Sequence, residues 1–400
     1  MTKRQVPDWI SGYLKYTDNS EPPVIYRKWV AISAIASMLQ RRCSITIGLN
    51  TWYPNFYIVL VGDSGVKKST SMDPAQKLLV ATGIELAAES ITREGLIHRL
   101  RQCGSNPIID PVTKTMTMHS SLTVHSSEFI VFLGFQDRQM LGILCDLYSC
   151  RSTWRHETKT IELRDDITNV WLNIIGATTP TLLKSNLPPE SFGGGLTSRV
   201  IFVYATKKDS KFIPISFLSD EEIELQGKLL DDLGNMLLIS GEFRMTDEFI
   251  ERYAEWSAFD HDNPPFEDPR FSGYNSHRRE FILKLSMVIS VSTNNSMILT
   301  LTDINRAIDT LTEVEEKMPL TFSGVGKSDI APQMSLVMTT IATKGTVTFG
   351  ELLRLYYNDV DEWTMKRILV TLIRMEFCKQ TVSGKEIIID YIPEKKKEEK

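Results

Sequence analysis

Phe56-Tyr57-Ile58-Val59-Leu60-Val61-Gly62-Asp63-Ser64-Gly65-Val66-Lys67-Lys68-Ser69-Thr70 joins an unbroken apolar run to a glycine loop and then to a helix start. A short apolar run bounded by Pro54-Asn55 and by Gly62 fits a strand buried on both faces, as strands of parallel sheets are. Gly62 to Ser69 has the length of a phosphate-binding loop (P-loop) and its first Gly, its Lys and its Ser. In such a loop glycines turn backbone N–H groups onto phosphate oxygens, and the dipole of the following helix adds to the attraction. Lys68 is placed to reach the β and γ phosphates, and the Ser69 hydroxyl to ligate magnesium. The expected nucleotide cradle is Gly62, Asp63, Ser64, Gly65, Val66, Lys67, Lys68, Ser69 and Thr70. Lys67 stands where the pattern has its second glycine, a position that favours backbone geometry unfavourable to a side chain. Either Lys67 tolerates that geometry, or the loop binds nucleotide with altered affinity. A helix start with incidental glycines is the competing reading. Gly324-Val325-Gly326-Lys327-Ser328 looks similar, but it follows Pro319 rather than a strand and has Thr321 where the leading glycine belongs. It reads as an interdomain linker.

Further strands are expected at Leu122–His125, Val170–Ile175 and Arg199–Tyr204, separated by helical segments such as Asp137–Tyr148. That alternation builds a parallel sheet with covered faces. A triphosphatase needs a carboxylate at the end of a neighbouring strand. Glu128, at the end of Leu122-Thr123-Val124-His125-Ser126-Ser127-Glu128, is the candidate for catalysis and for magnesium, with Ser127 where an aspartate is usual. A glutamate opening a helix is the alternative. Thr178, in Gly176-Ala177-Thr178-Thr179-Pro180, is the candidate γ-phosphate sensor, with Asn173 behind it; a helix cap is the other reading. Gly193-Gly194-Gly195-Leu196-Thr197-Ser198-Arg199 either delivers Arg199 as a finger to a neighbouring subunit's nucleotide or is a plain loop.

The expected fold is α/β: a P-loop NTPase core on a parallel sheet, with helical N-terminal and lid regions and a C-terminal winged helix. The divisions are a helical N-terminal segment (1–50), the ATPase core (51–210), a helical lid (211–322), a linker (323–333), a winged helix (334–394) and a charged tail (395–400). Thr246 and Thr302 are the cap candidates of the lid. In the last segment, three helices precede Cys378–Val382 and Ile387–Tyr391, which flank the turn residues Ser383-Gly384-Lys385.

Composition sets the outer bounds. Four hundred residues, 42% hydrophobic and 24% charged, with net charge -5, suit a multidomain globular chain and argue against coating nucleic acid by bulk charge. No apolar stretch is long enough to span a bilayer. The N-terminus lacks the apolar region of a signal peptide. Five scattered cysteines without a CxxC pair fit reduced core thiols. A cytoplasmic protein with no membrane partner is the expectation.

Taken in order, Tyr53-Pro54-Asn55-Phe56-Tyr57 with the glycine loop, Ser127-Glu128-Phe129, Tyr148 with Trp154, Gly176–Pro180, Gly193–Arg199, and His277-Arg278-Arg279 with Lys284-Leu285 resemble the phage and plasmid primase-helicase ATPases, a RecA-like or AAA-like group of ring-forming replication helicases. The resemblance covers about residues 25 to 320. It implies an ATP- and Mg2+-dependent hexameric motor on single-stranded or forked DNA, serving as the replicative helicase of a phage or other mobile element. It also implies that Arg199 acts in trans and that Arg278 is a lid-borne nucleotide sensor. With no primase region preceding the ATPase, priming would come from a separate primase or initiator protein. Lys67 and Ser127 favour the alternative, a nucleotide-switched replication initiator or helicase loader with slow turnover. A DNA-gripping loop is expected between the second and third strands, where Arg151, Trp154, Arg155 and Lys159 mix cations with an aromatic ring; a plain surface hairpin is the other reading.

Overall fold

Every residue of Tyr57–Val61 (β1) is buried, as an apolar run without polar alternation requires. It lies inside a five-stranded sheet with Asn106–Ile109 (β2), Met116–Ser126 (β3), Val170–Thr178 (β4) and Val200–Tyr204 (β5), in the order β2-β3-β4-β1-β5. Neighbouring strands from β3 to β5 are parallel; β2 alone runs antiparallel, against the first half of β3. The chain is therefore mixed α/β with a largely parallel sheet. The sequence reading omitted β2, a short strand that contains Pro107, at the edge where proline is tolerated.

This computed structural model describes residues 4–109, 114, 116–157, 164–188, 191, 193–322, 331–357, 360–383 and 386–392. Lys159, Gly324–Ser328, Gly384-Lys385, most of the linker and the 395–400 tail lie outside the described residues. The chain forms two compact units, Met1–Ser323 and Gly324–Lys400.

In the first unit the pairing registers fix which side chains share a face, because residues i and i+2 of a strand point the same way. Thr123, His125 and Asn173 face the Val24–Leu39 and Lys68–Ala81 helices. Asn173 Nδ2 donates to Ser33 Oγ at 3.0 Å, and the His125 ring lies 3.3 Å from the Met72 carbonyl. Tyr57, Ser126, Gly176 and Thr178 face the other way, towards the Phe129–Leu133 and Arg138–Tyr148 helices. There Tyr57 Oη donates to the Leu144 carbonyl, and a side chain at Gly176 would strike Phe129.

Three expectations need correction here. Residues 1–50 are not wholly helical, since Gln40 turns to φ 52 and ends the helix. Cys43–Ile47 and Asn50–Trp52 then form a hairpin whose alternating Ser44-Ile45-Thr46-Ile47 is a strand signal. The cap of the Leu301–Glu315 helix is Thr300, boxed with Asp303, rather than Thr302. Thr246 does cap Asp247–Asp262, accepting from the Phe249 N–H. The 211–322 region forms no compact unit of its own. Its Ser272–Thr293 helix is buried on all sides from Phe281 to Ser292, and apolar burial of that kind makes it part of the core.

The second unit is built from helices Ala331–Lys344, Phe349–Leu355 and Glu362–Arg374 and a three-stranded antiparallel sheet. Met365, Ile368, Leu369 and Leu372 turn one face of the last helix into its core. Trp363 stays exposed, with the Arg367 guanidinium 4.5 Å from its ring centre.

Candidate functional site

The Gly62–Thr70 loop leaves the carboxyl end of β1 and runs into the Lys68–Ala81 helix. A Cβ at Gly62 would lie 2.6 Å from both the Ala205 carbonyl and Tyr26 Oη, so only glycine fits between them. Tyr26 in turn donates to the Val61 carbonyl at 2.6 Å, fixing the end of the strand. Gly65 takes φ 87, and the buried Val66 side chain anchors the loop. Lys67 adopts φ 60, ψ 33, the left-handed geometry for which a glycine is usual. Its ammonium pairs with Glu21 at 2.6 Å, and this contact holds the Glu21 carboxyl below its ordinary pKa. Among the described residues nothing accepts from the N–H groups of Gly65, Lys67, Lys68 or Ser69. Open donors at a helix start are what an anion requires.

Lys68 folds back over this cradle, donating to the Gly62 and Asp63 carbonyls at 2.7 and 2.8 Å. Partial burial lowers its pKa, and the charges of Glu128 and Asp63 oppose that shift. Glu128 is exposed just beyond β3, at the head of the Phe129–Leu133 helix. Thr178 pairs with Val61 beside the loop; its hydroxyl is buried and unpartnered among the described residues, as is that of Ser126. Both hydroxyls lie on the sheet face that carries the Phe129–Leu133 helix. Ser127 points to the opposite face and donates to Glu89 Oε2 at 2.8 Å. Asn173 is a correction: it sits mid-strand, accepts from the Phe56 N–H at 2.9 Å and donates to Ser33, so it positions strands and cannot sense a ligand at their ends.

No family model and no curated protein matches this chain.

The donor set suits magnesium delivered with a triphosphate. Ser69 and Glu128 are exposed hydroxyl and carboxylate donors, and two buried hydroxyls lack partners nearby. Among the described residues no three His, Cys, Asp or Glu side chains converge on one point, so phosphate oxygens would have to complete the shell.

Arg199 lies at the other end of the sheet. It precedes Val200, which pairs with Tyr57 at the start of β1, so the five residues of β1, roughly 15 Å of strand, separate it from the loop. It borders a polar cavity of about 410 Å3 with Asn55, Tyr148, His277, Glu280 and Lys284. Lys284 Nζ donates to Asn55 Oδ1 at 2.8 Å and sits 3.8 Å from the centre of the Tyr148 ring. Burial pulls its pKa down to about 8. Burial disfavours the Glu280 carboxylate, yet His277, Lys284 and Arg199 together keep its pKa below the ordinary value. Asn55, Glu280 and Lys284 are scattered over the sequence, and Glu280 lies outside every motif read from it.

Arg278 is a second correction. It is buried, bonds both Glu315 oxygens at 2.7 and 2.8 Å, pairs with Asp260, and lies 5.3 Å from the Trp256 ring centre. With its guanidinium enclosed by two carboxylates, it braces helices and is not presented to a nucleotide. Among the residues expected to touch DNA, Arg151 and Arg155 are exposed on or beside the Thr153–Glu157 and Arg164–Thr168 hairpin, with Arg151 3.9 Å from Asp146. Trp154 is buried, 7% exposed, so it packs into the fold and offers no face for base stacking. The hairpin leads into Val170 at the amino end of β4, the same edge of the sheet as Arg199.

Proposed function

We propose that this chain is a P-loop ATPase that works as a ring-forming motor on DNA, a replicative helicase of a phage or other mobile element. The observation that carries the reading is the set of N–H groups of Gly65, Lys67, Lys68 and Ser69, without acceptors among the described residues, with the Lys68 ammonium folded over them at the end of a buried parallel strand. In the proposed complex those N–H groups hold the phosphate oxygens, and Lys68 moves from its two carbonyls onto the terminal phosphates. Magnesium, held by Ser69 and the phosphates, would neutralise charge that builds on the leaving group. Glu128 orients the attacking water, and Thr178 donates its free hydroxyl beside the terminal phosphate. Arg199 completes the site of the neighbouring copy. The base is assigned to the pocket of about 160 Å3 beside the carboxyl end of β5, lined by Ile25, Tyr204, Glu313, Val314, Glu316 and Lys317. The second unit is read as a winged helix whose Trp363-, Lys366- and Arg367-bearing face contacts a partner, DNA or protein.

A nucleotide-switched initiator or loader is the second reading, favoured by the left-handed Lys67, the missing aspartate at Ser127 and the burial of Trp154. The test is nucleotide binding and hydrolysis, each with and without single-stranded DNA. Tight binding lost in Lys68→Ala supports the cradle, since that change removes its flexible cation. DNA-stimulated turnover with strand separation supports the motor, whereas tight binding with little turnover supports the switch. Wild-type affinity in Lys68→Ala would refute the site itself.

A further inference from the structure

Two observations at the loop edge are unused by this reading: the bond between Ser127 and Glu89, and the way Glu89 is brought there. Beyond β2, the edge of β3 is taken up by Leu86, which bridges Thr123 in parallel, while the Ala87 N–H donates to the Thr123 carbonyl at 2.9 Å. The Leu86–Glu89 segment thus runs alongside the last residues of β3 and ends at the same carboxyl edge as the glycine loop. Glu89 emerges there and accepts from the Ser127 hydroxyl at 2.8 Å. Ser127 stands where a P-loop ATPase keeps an aspartate, on the sheet face that carries the Lys68–Ala81 helix and therefore Ser69. The Ser126 and Thr178 hydroxyls, on the other face of the same strand ends, are buried and unpartnered among the described residues.

We propose that Glu89, acting through Ser127, supplies the negative charge that the aspartate would have contributed to the magnesium–nucleotide site. By accepting the Ser127 proton, Glu89 turns the serine oxygen's lone pairs outward, so that an otherwise neutral side chain presents an acceptor backed by a carboxylate. A metal-bound water donating to Ser127 would gain the strength of a charge-assisted bond at one remove. Glu89 is then a positioning residue: it touches neither phosphate nor metal.

The inference rests on the nucleotide-binding reading, and one titration separates the two. Binding of a fluorescent ATP analogue is followed in EDTA and across a magnesium series for the wild type, Glu89→Gln, Ser127→Ala and the double variant E89Q/S127D. Glu89→Gln and Ser127→Ala should bind the metal-free analogue as the wild type does, while the magnesium needed for half-maximal enhancement rises about 10- to 100-fold, the usual scale for loss of an outer-shell partner. E89Q/S127D should return most of the way, because the carboxylate is restored one residue closer. Unchanged magnesium dependence in Glu89→Gln would overturn the assignment, and so would an equal loss of metal-free binding, which marks a structural role. A wild type that binds no analogue under any condition sinks the nucleotide reading instead.

Discussion

Replacing Lys67 by glycine and, separately, by alanine tests the loop's most unusual feature. Its φ 60 and ψ 33 lie in the left-handed region, which costs an L-residue about 1–2 kcal/mol. Both replacements remove the pairing with Glu21, so that contact cancels when they are compared. Alanine keeps the backbone cost, whereas glycine removes it but forfeits roughly 0.5–1 kcal/mol through the greater freedom of its unfolded chain. The glycine variant should therefore be the more stable by about 0.5–1 kcal/mol. In a unit of this size that is a melting difference of about 1–3 °C, readable by differential scanning fluorimetry. At an ordinary helical or extended position the order reverses, because there alanine is preferred. An alanine variant that melts above the glycine variant would show that residue 67 is not left-handed, and the cradle geometry would go with it.

Other expectations are more direct. Glu128→Gln should keep nucleotide affinity within about twofold and reduce hydrolysis at least 100-fold, on the scale of a general base or water-positioning group; normal turnover would move the catalytic carboxylate elsewhere. Arg199→Ala should leave binding intact and cut turnover steeply, and mixing it with a Lys68→Ala protein should restore activity if sites are shared, whereas a fully active isolated Arg199→Ala chain would count against the shared site. Lys284 offers a pH signature. Its folded pKa of about 8 lies below the ordinary 10.5, so between these values the unfolded chain carries a proton that the folded chain has shed. Stability should thus gain about 3 kcal/mol as pH rises through that window, a gain absent from Lys284→Met in paired urea denaturations; parallel profiles would mean that the ammonium is not desolvated.

The parts of the molecule that were legible in sequence are those where one local rule suffices. The apolar Tyr57–Val61 run, the open loop after it and the Met365-Ile368-Leu369-Leu372 stripe each follow from periodicity and backbone chemistry within a few residues. What escaped depends on partners far away in the chain. Trp154 reads as exposed because it sits among cations, yet the fold buries it. Arg278 reads as available until Glu315 and Asp260, distant in sequence, close around it. Glu89 carries no signal in Ala87-Ala88-Glu89-Ser90, because its significance arises only when Leu86 pairs with Thr123. Strand ends, more than strand interiors, are where local reading fails, since their side chains take partners from other elements.

The position of Arg199 bears on assembly more strongly than its chemistry does. The loop, Glu128 and Thr178 lie at the carboxyl edge of the sheet, whereas Arg199, the Lys284 cavity and the Arg151–Arg155 segment lie at the amino edge. No side-chain motion spans the roughly 15 Å of β1 between them. If both edges serve one reaction, each must meet the opposite edge of another copy. A twofold contact does this when both edges fall within one shared patch, because residue i then meets j while j meets i; a head-to-tail contact instead repeats one pairing at every step and closes into a ring or runs on as a helix. On the proposed function, then, the isolated chain is the state that would leave the triphosphate without its arginine.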